Sequence, residues 1–181
     1  MQIDLKSIVT KLIPTFKEAA ELSVNLQKEG LKITIKDDNS PVTNGDIAVN
    51  DLITKKILEL TPNIPIISEE TVKKGFKNTN KIFWLIDPID GTKEYIAGKD
   101  EFTLNAALVI NQVPVMSLVG VPKKNRLFYT YGKNETYLIE NGKTEKINCL
   151  KKNKKNTVVA VSSMIKPPDN ILNKLKEYNV T

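Results

Sequence analysis

The chain has 181 residues, a formal net charge of +6, no histidine and a single cysteine, Cys149. That inventory excludes a Ser-His-Asp or Cys-His nucleophile, a histidine-based zinc site, a CxxC pair and an internal disulfide, leaving carboxylates, hydroxyls, lysines, backbone amides and a hard metal ion for any chemistry. Hydrophobic residues at 40% against charged residues at 27% describe a folded domain with a real core; with no membrane-length apolar run and no signal-peptide pattern, the expected location is cytoplasmic, with no membrane insertion.

Leu5, Ile8, Val9, Leu12, Phe16, Ala19, Ala20, Ser23 and Leu26 recur at three-four spacing and predict an amphipathic helix that Gly30 ends. Pro14 removes one backbone donor inside it, so a kink or short break is expected near Ile13. Leu31, Ile33 and Ile35 alternate with polar residues as a half-buried strand, followed by the turn-prone Asp37 to Pro41. A second helix follows from about Thr43, with Thr43 and Asp46 spaced as a capping box and Pro62 closing it. Ile64 to Ile67 and Ile82 to Ile86 read as short buried strands that deliver Glu69, Glu70 and Asp87 at their carboxyl ends, where ligands collect in sheets flanked by helices.

After Phe102 the sequence turns strand-rich. Leu104 to Ile110, Val113 to Val119, Arg126 to Tyr131, Thr136 to Ile139 and Thr144 to Ile147 predict an antiparallel meander, then a strand at Val158 to Val161 and a helix at Pro168 to Tyr178. The expected division is a helix-plus-sheet, metal-binding domain over 1–150 and the start of a second α/β domain over 151–181. Asn141-Gly142-Lys143-Thr144 lacks the earlier glycine of a phosphate-binding loop and reads as a hairpin turn. Lysines are dispersed, and the dense run Lys151 to Lys155 carries no interleaved aromatics, so no nucleic-acid partner is expected.

Chemistry concentrates in Asp87-Pro88-Ile89-Asp90-Gly91-Thr92. A buried strand runs into what reads as a proline-fixed turn holding two carboxylates, then a glycine, then the Thr92 hydroxyl, where a short helix could begin. Hard oxygens in that number suit a magnesium ion, and free amides at the start of a helix suit an anion. An isolated Asp-Pro-x-Asp-Gly reads first as a capped turn, an acid in the first turn of a helix, such as Asp46, is stabilising without chemistry, and a lysine at a strand end, such as Lys36, is ordinarily solvated. What tips the balance is company: Ser68-Glu69-Glu70 and Ser40-Pro41-Val42-Thr43-Asn44-Gly45-Asp46 stand with it in one larger pattern. Trp84 and Phe102 read as core.

These three blocks, in this order, resemble the inositol monophosphatase-like phosphatases. Within them the chain is most similar to the 3′(2′),5′-bisphosphate nucleotidases of the bacterial CysQ type, since Gly91-Thr92-Lys93-Glu94-Tyr95 has that branch's Gly-Thr-Lys-Glu-Phe/Tyr form. The resemblance implies the layered α/β (α+β) fold of that superfamily, present as its N-terminal portion with an incomplete second α/β layer. It implies two or more Mg2+ ions held by Glu69, Asp87, Asp90 and the Ile89 carbonyl, Asp46 and Thr92 positioning or deprotonating the attacking water, and the Gly91 and Thr92 amides holding phosphate. Lys36 and Glu70 would stand just outside the ligands, and lithium would inhibit. The implied reaction removes the 3′-phosphate of 3′-phosphoadenosine 5′-phosphate or its sulfated form, in sulfur assimilation. The alternatives are a truncated, inactive remnant of that family or an inositol monophosphatase-type sugar phosphatase. Family members continue past the position of Thr181 with a Trp-Asp-x-Ala-Ala-Gly block, whereas the only tryptophan here is Trp84. A complementing C-terminal fragment or a homo-oligomer is the implied partner besides the small nucleotide.

Overall fold

The computed structural model describes residues 3–37, 39–72, 76–148 and 169–177. Two compact units divide the chain, Met1–Ile147 and Asn148–Thr181. In the second, the described element is one helix, α4 (Asp169–Glu177), within the predicted Pro168 to Tyr178; the predicted strand at Val158 to Val161 lies outside the described residues.

In the first unit, helix α1 (Leu5–Glu29) is capped by Asp4, whose side chain accepts from Ser7 N at 2.9 Å, and stops at Gly30, where φ reaches +104°. It is not broken at Ile13. Val9 and Leu12 before Pro14, and Phe16 and Ala19 after it, are all buried in one core. Packing on both sides of the proline therefore holds the helix together against a local cost of about 3 kcal/mol. Helix α2 (Asn44–Leu60) starts at Thr43 with the predicted capping box, and contributes Val49, Ile53 and Ile57 to the same core.

Among the described residues the main sheet has seven strands in chain order: β3 (Ile66–Ser68), β4 (Ile82–Asp90), β5 (Thr103–Ile110), β6 (Val113–Val121), β7 (Arg126–Thr130), β8 (Thr136–Glu140) and β9 (Lys143–Lys146). All neighbours are antiparallel except β3 and β4, which run parallel. Alternate residues Trp84 and Ile86, Leu104, Ala106 and Leu108, and Met116 and Leu118 fall on one face and bury against α1 and α2, as period-two side chains must. Each large side chain so buried contributes roughly 1.5–3 kcal/mol. Trp84 also donates from its indole to Thr61 Oγ1 at 3.0 Å, tying β4 to the end of α2. Among the described residues no helix is long and apolar enough to cross a membrane.

Two expectations about strands need correction. The strand at Ile33–Ile35 (β1) is exposed along its length, because among the described residues it pairs with β2 (Pro41–Thr43) alone, in a two-stranded ribbon separate from the main sheet. The stretch from Asp87 to Asp90 is not a turn after the strand but the end of β4 itself. Asp87 pairs with Asn105 and Asp90 with Thr103, so three steps on β4 face two on β5. One residue is extra, the signature of a β-bulge, and a bulge accepts a proline that cannot donate to the ladder.

Candidate metal and phosphate site

Parallel pairing of β3 with β4 sets the site's frame. Ser68 stands opposite Ile86, so the next residue on each strand is an acid, Glu69 beside Asp87. The ladder continues one step further, with Glu69 N donating to Ile86 O at 3.1 Å. Among buried side-chain oxygens and nitrogens of the described residues, Asp87 Oδ1 alone lacks a hydrogen-bond partner. Burial foremost pushes the Asp87 carboxyl up to about 7, and the charge of Glu69, a hydrogen bond with Glu69 and the charges of Asp90 and Glu70 push it the same way. Such a group calls for a cation.

One cation is already near. Lys36, at the end of β1, lies 2.9 Å from Glu70 Oε2 and 3.7 Å from Glu69 Oε1. Burial lowers the Lys36 pKa, but the hydrogen bond to Glu70 and the charges of Glu70, Glu69 and Asp46 outweigh it and the net direction is up. Glu70 also goes up: its side chain is only 9% exposed, and that burial outweighs the pull of Lys36. At 2.9 Å the two side chains form an ion pair, and burial is why Glu70 gains too little from one lysine to offset its own desolvation.

Asp46 and Thr92 meet across the site. Asp46 is 1% exposed; its Oδ2 accepts from Thr43 N at 2.8 Å and its own N donates to Thr43 Oγ1 at 3.3 Å, the capping-box contacts, and Oδ2 also accepts from Thr43 Oγ1 at 2.5 Å. Its Oδ1 accepts from Thr92 Oγ1 at 3.2 Å, and the same hydroxyl lies 3.2 Å from the Ile89 carbonyl. Thr92 opens the short helix α3 (Thr92–Ile96), entered through Gly91 at φ +99°. A Cβ at Gly91 would stand 2.8 Å from the Glu101 carbonyl oxygen, so glycine is required there twice over. Tyr95 anchors α3 from below: its hydroxyl donates to Ser23 O at 2.6 Å, and Gln27 Nε2 donates to Tyr95 O at 2.9 Å. Its hydroxyl pKa is raised, by burial first and then by the Asp46 charge.

Of the residues singled out from sequence, Lys36, Glu69, Glu70 and Asp87 form one cluster, while Asp46, Ile89 and Thr92 form an adjoining one. Asp90 is exposed at the strand end and adds its charge to Asp87. Among the described residues no three acidic side chains converge into a ready-made ion cage. The supporting residues Thr43, Asn50, Ser68, Tyr95, Ser23 and Gln27 were not read as part of the site. Thr43, Ser68 and Tyr95 lie inside the three sequence blocks, Thr43 with its capping spacing to Asp46, whereas Asn50, Ser23 and Gln27 lie outside them.

A model of the inositol monophosphatase family matches residues 3–180. The 3′(2′),5′-bisphosphate nucleotidase CysQ of Buchnera aphidicola is 34% identical over 149 residues, covering 81% of this chain and 56% of that one. Its Haemophilus influenzae counterpart is 34% identical over 120 residues, covering 65% and 44%. The chain thus spans about half the length of the curated relatives it matches. A solved structure of an IMPase/NADP phosphatase complexed with Mg2+ and phosphate aligns with TM-score 0.65 at 17% identity, over 76% of this chain and 53% of that one, which is a likeness of fold. A match running from residue 3 to residue 180 takes in every acid described above, and the chain belongs to the inositol monophosphatase family.

Proposed function

We propose that this chain carries the metal- and phosphate-binding part of a magnesium-dependent phosphatase acting on a small nucleotide bisphosphate, 3′-phosphoadenosine 5′-phosphate or its sulfated form. The observation that carries the reading is the buried, unpartnered Asp87 Oδ1 beside Glu69 at the ends of two parallel strands. All donors there are oxygens, which suits a hard divalent ion. Glu69, Asp87, Asp90 and the Ile89 carbonyl would hold it. Magnesium bound by these groups would supply positive charge against the phosphoryl oxygens and acidify nearby water.

The chain's own residues supply orientation and proton handling. With its proton engaged by Asp46 Oδ1, Thr92 Oγ1 offers a lone pair to a water hydrogen, and the Asp46–Thr92 pair is the proton acceptor. Gly91 brings backbone close and the Gly91 and Thr92 amides face the phosphate. The nucleotide branch rests on Gly91 to Tyr95 and on the names of the CysQ relatives. A cytoplasmic enzyme of sulfur assimilation, inhibited by lithium, follows from the same resemblance.

A second reading, a partial site that binds metal without turnover, is favoured by the absence of three converging acids among the described residues. Phosphate release from 3′-phosphoadenosine 5′-phosphate, measured with the chain alone and then mixed with the C-terminal part of a relative, separates the two. Turnover that appears only on mixing supports a site completed by a second fragment. Robust turnover by the chain alone, abolished by Asp90→Asn, contradicts the need for one. No turnover in either arm, with Mg2+ still bound, leaves the metal-binding remnant.

A further inference from the structure

Helix α2 reaches the site at two points one turn apart. Asp46 grips Thr92; Asn50, four residues on and therefore on the same face, reaches the other acidic segment. Asn50 is 5% exposed and Ser68 fully buried. Ser68 Oγ donates to Asn50 Oδ1 at 2.6 Å and accepts from Glu70 N at 3.3 Å. The Ser68 carbonyl accepts from Thr71 N at 3.1 Å and Val72 N at 2.9 Å. Ser68 is thus the residue on which the chain turns after β3, and Asn50 fixes its side chain from behind.

β3 has only three residues and forms one edge of the main sheet, so its backbone ladder alone gives the acids that follow it little anchorage. We propose that Asn50 is a positioning residue for the acidic turn: through Ser68 it sets where the Glu69 and Glu70 carboxylates stand against Asp87. One helix face then registers both halves of the site, Asp46 holding the Thr92 side and Asn50 the Glu69 side. The inference rests on the metal reading above only for its functional consequence. Partners one shell behind metal ligands typically change affinity by about 10- to 100-fold when lost.

The test compares the wild-type chain with Asn50→Leu, Ser68→Ala and Asn50→Asp, each melted first and then titrated with Mg2+ by calorimetry well below its melting midpoint. Asn50→Leu and Ser68→Ala should weaken Mg2+ binding by about 10- to 100-fold. Asn50→Asp keeps an acceptor for the Ser68 hydroxyl and should recover most of that loss. A residue that merely stabilises the fold would lower the melting midpoint and leave Mg2+ affinity untouched. Wild-type affinity in Asn50→Leu and Ser68→Ala, with binding lost in Asp87→Asn, overturns the proposal and spares the metal reading. If the wild-type chain itself takes up no Mg2+, the metal reading fails, and amide exchange at Glu69 and Glu70 decides the positioning claim. Faster exchange at both in Asn50→Leu supports it; unchanged exchange overturns it.

Discussion

Thr92 Oγ1 lies 3.2 Å from Asp46 Oδ1, so the first turns of α2 and α3 meet through a hydroxyl and a buried carboxylate 46 residues apart in sequence. The same carboxylate is half of the Thr43 capping box, which makes helix capping and site geometry one structure. Thr43→Ala should cost about 1–2 kcal/mol in urea unfolding, the usual loss for an N-cap. Because Oδ2 would lose a 2.5 Å donor, Asp46 should also hold Thr92 less firmly, and any phosphatase activity should fall with it. Thr43→Ser keeps the cap oxygen and should retain both; stability and activity that part company in these variants would separate the two roles.

Gly91 supplies a sharper stability test. At φ +99°, with a virtual Cβ 2.8 Å from Glu101 O, Gly91→Ala meets both backbone strain and a clash with main chain. The expected loss is about 2–3 kcal/mol in chemical denaturation, near the top of the range for strained backbone. Gly98→Ala, at φ +72° with nothing within 4 Å, carries the strain without the clash and should cost about 1 kcal/mol. Equal losses in the two variants would contradict the close approach at Gly91.

Much of this arrangement was legible in the sequence, and the failures have physical causes. The capping box at Thr43 and the meander after Phe102 follow from local chemistry and are present. Pro14 does not break α1 because the core grips the helix on both sides of it, which local propensity says nothing about. Asp87 to Asp90 looked like a turn because Pro88 and the acids are turn formers, yet a bulge uses the same residues and keeps β4 paired with β5. Ile33 and Ile35 alternate like a half-buried strand but are 51% and 60% exposed, since alternation cannot say whether a sheet lies beside them. Asn50 was invisible for a different reason: its partner Ser68 is 18 residues away and joined only by folding.

The Asp87 carboxyl gives the metal-free chain a pH signature. Its pKa in the folded chain is raised to about 7 from an ordinary 3.8, so the native state holds a proton that the unfolded state has released. That contribution to stability is fully present below about pH 3.8, declines as pH rises between the two values and is gone once pH passes about 7. In EDTA the melting midpoint of the wild type should therefore drop from pH 5 to pH 8 relative to Asp87→Asn, which cannot titrate there. Parallel pH profiles for the two would place the proton elsewhere.

Glu69 and Asp87, side by side where β3 ends and β4 nears its end, are proposed to form a divalent-cation site. Asp87→Asn keeps the shape of the buried oxygen and removes the charge that a hard cation needs. Calorimetric titration of the wild type, Asp87→Asn and Asp90→Asn with Mg2+ at pH 8, where Asp87 is ionised, tests the claim most directly. Measurable binding by the wild type is expected, at least about tenfold weaker in each variant, as loss of a ligand's charge requires. Wild-type affinity in both variants would show that these acids only shape a bulged strand end, and would contradict it.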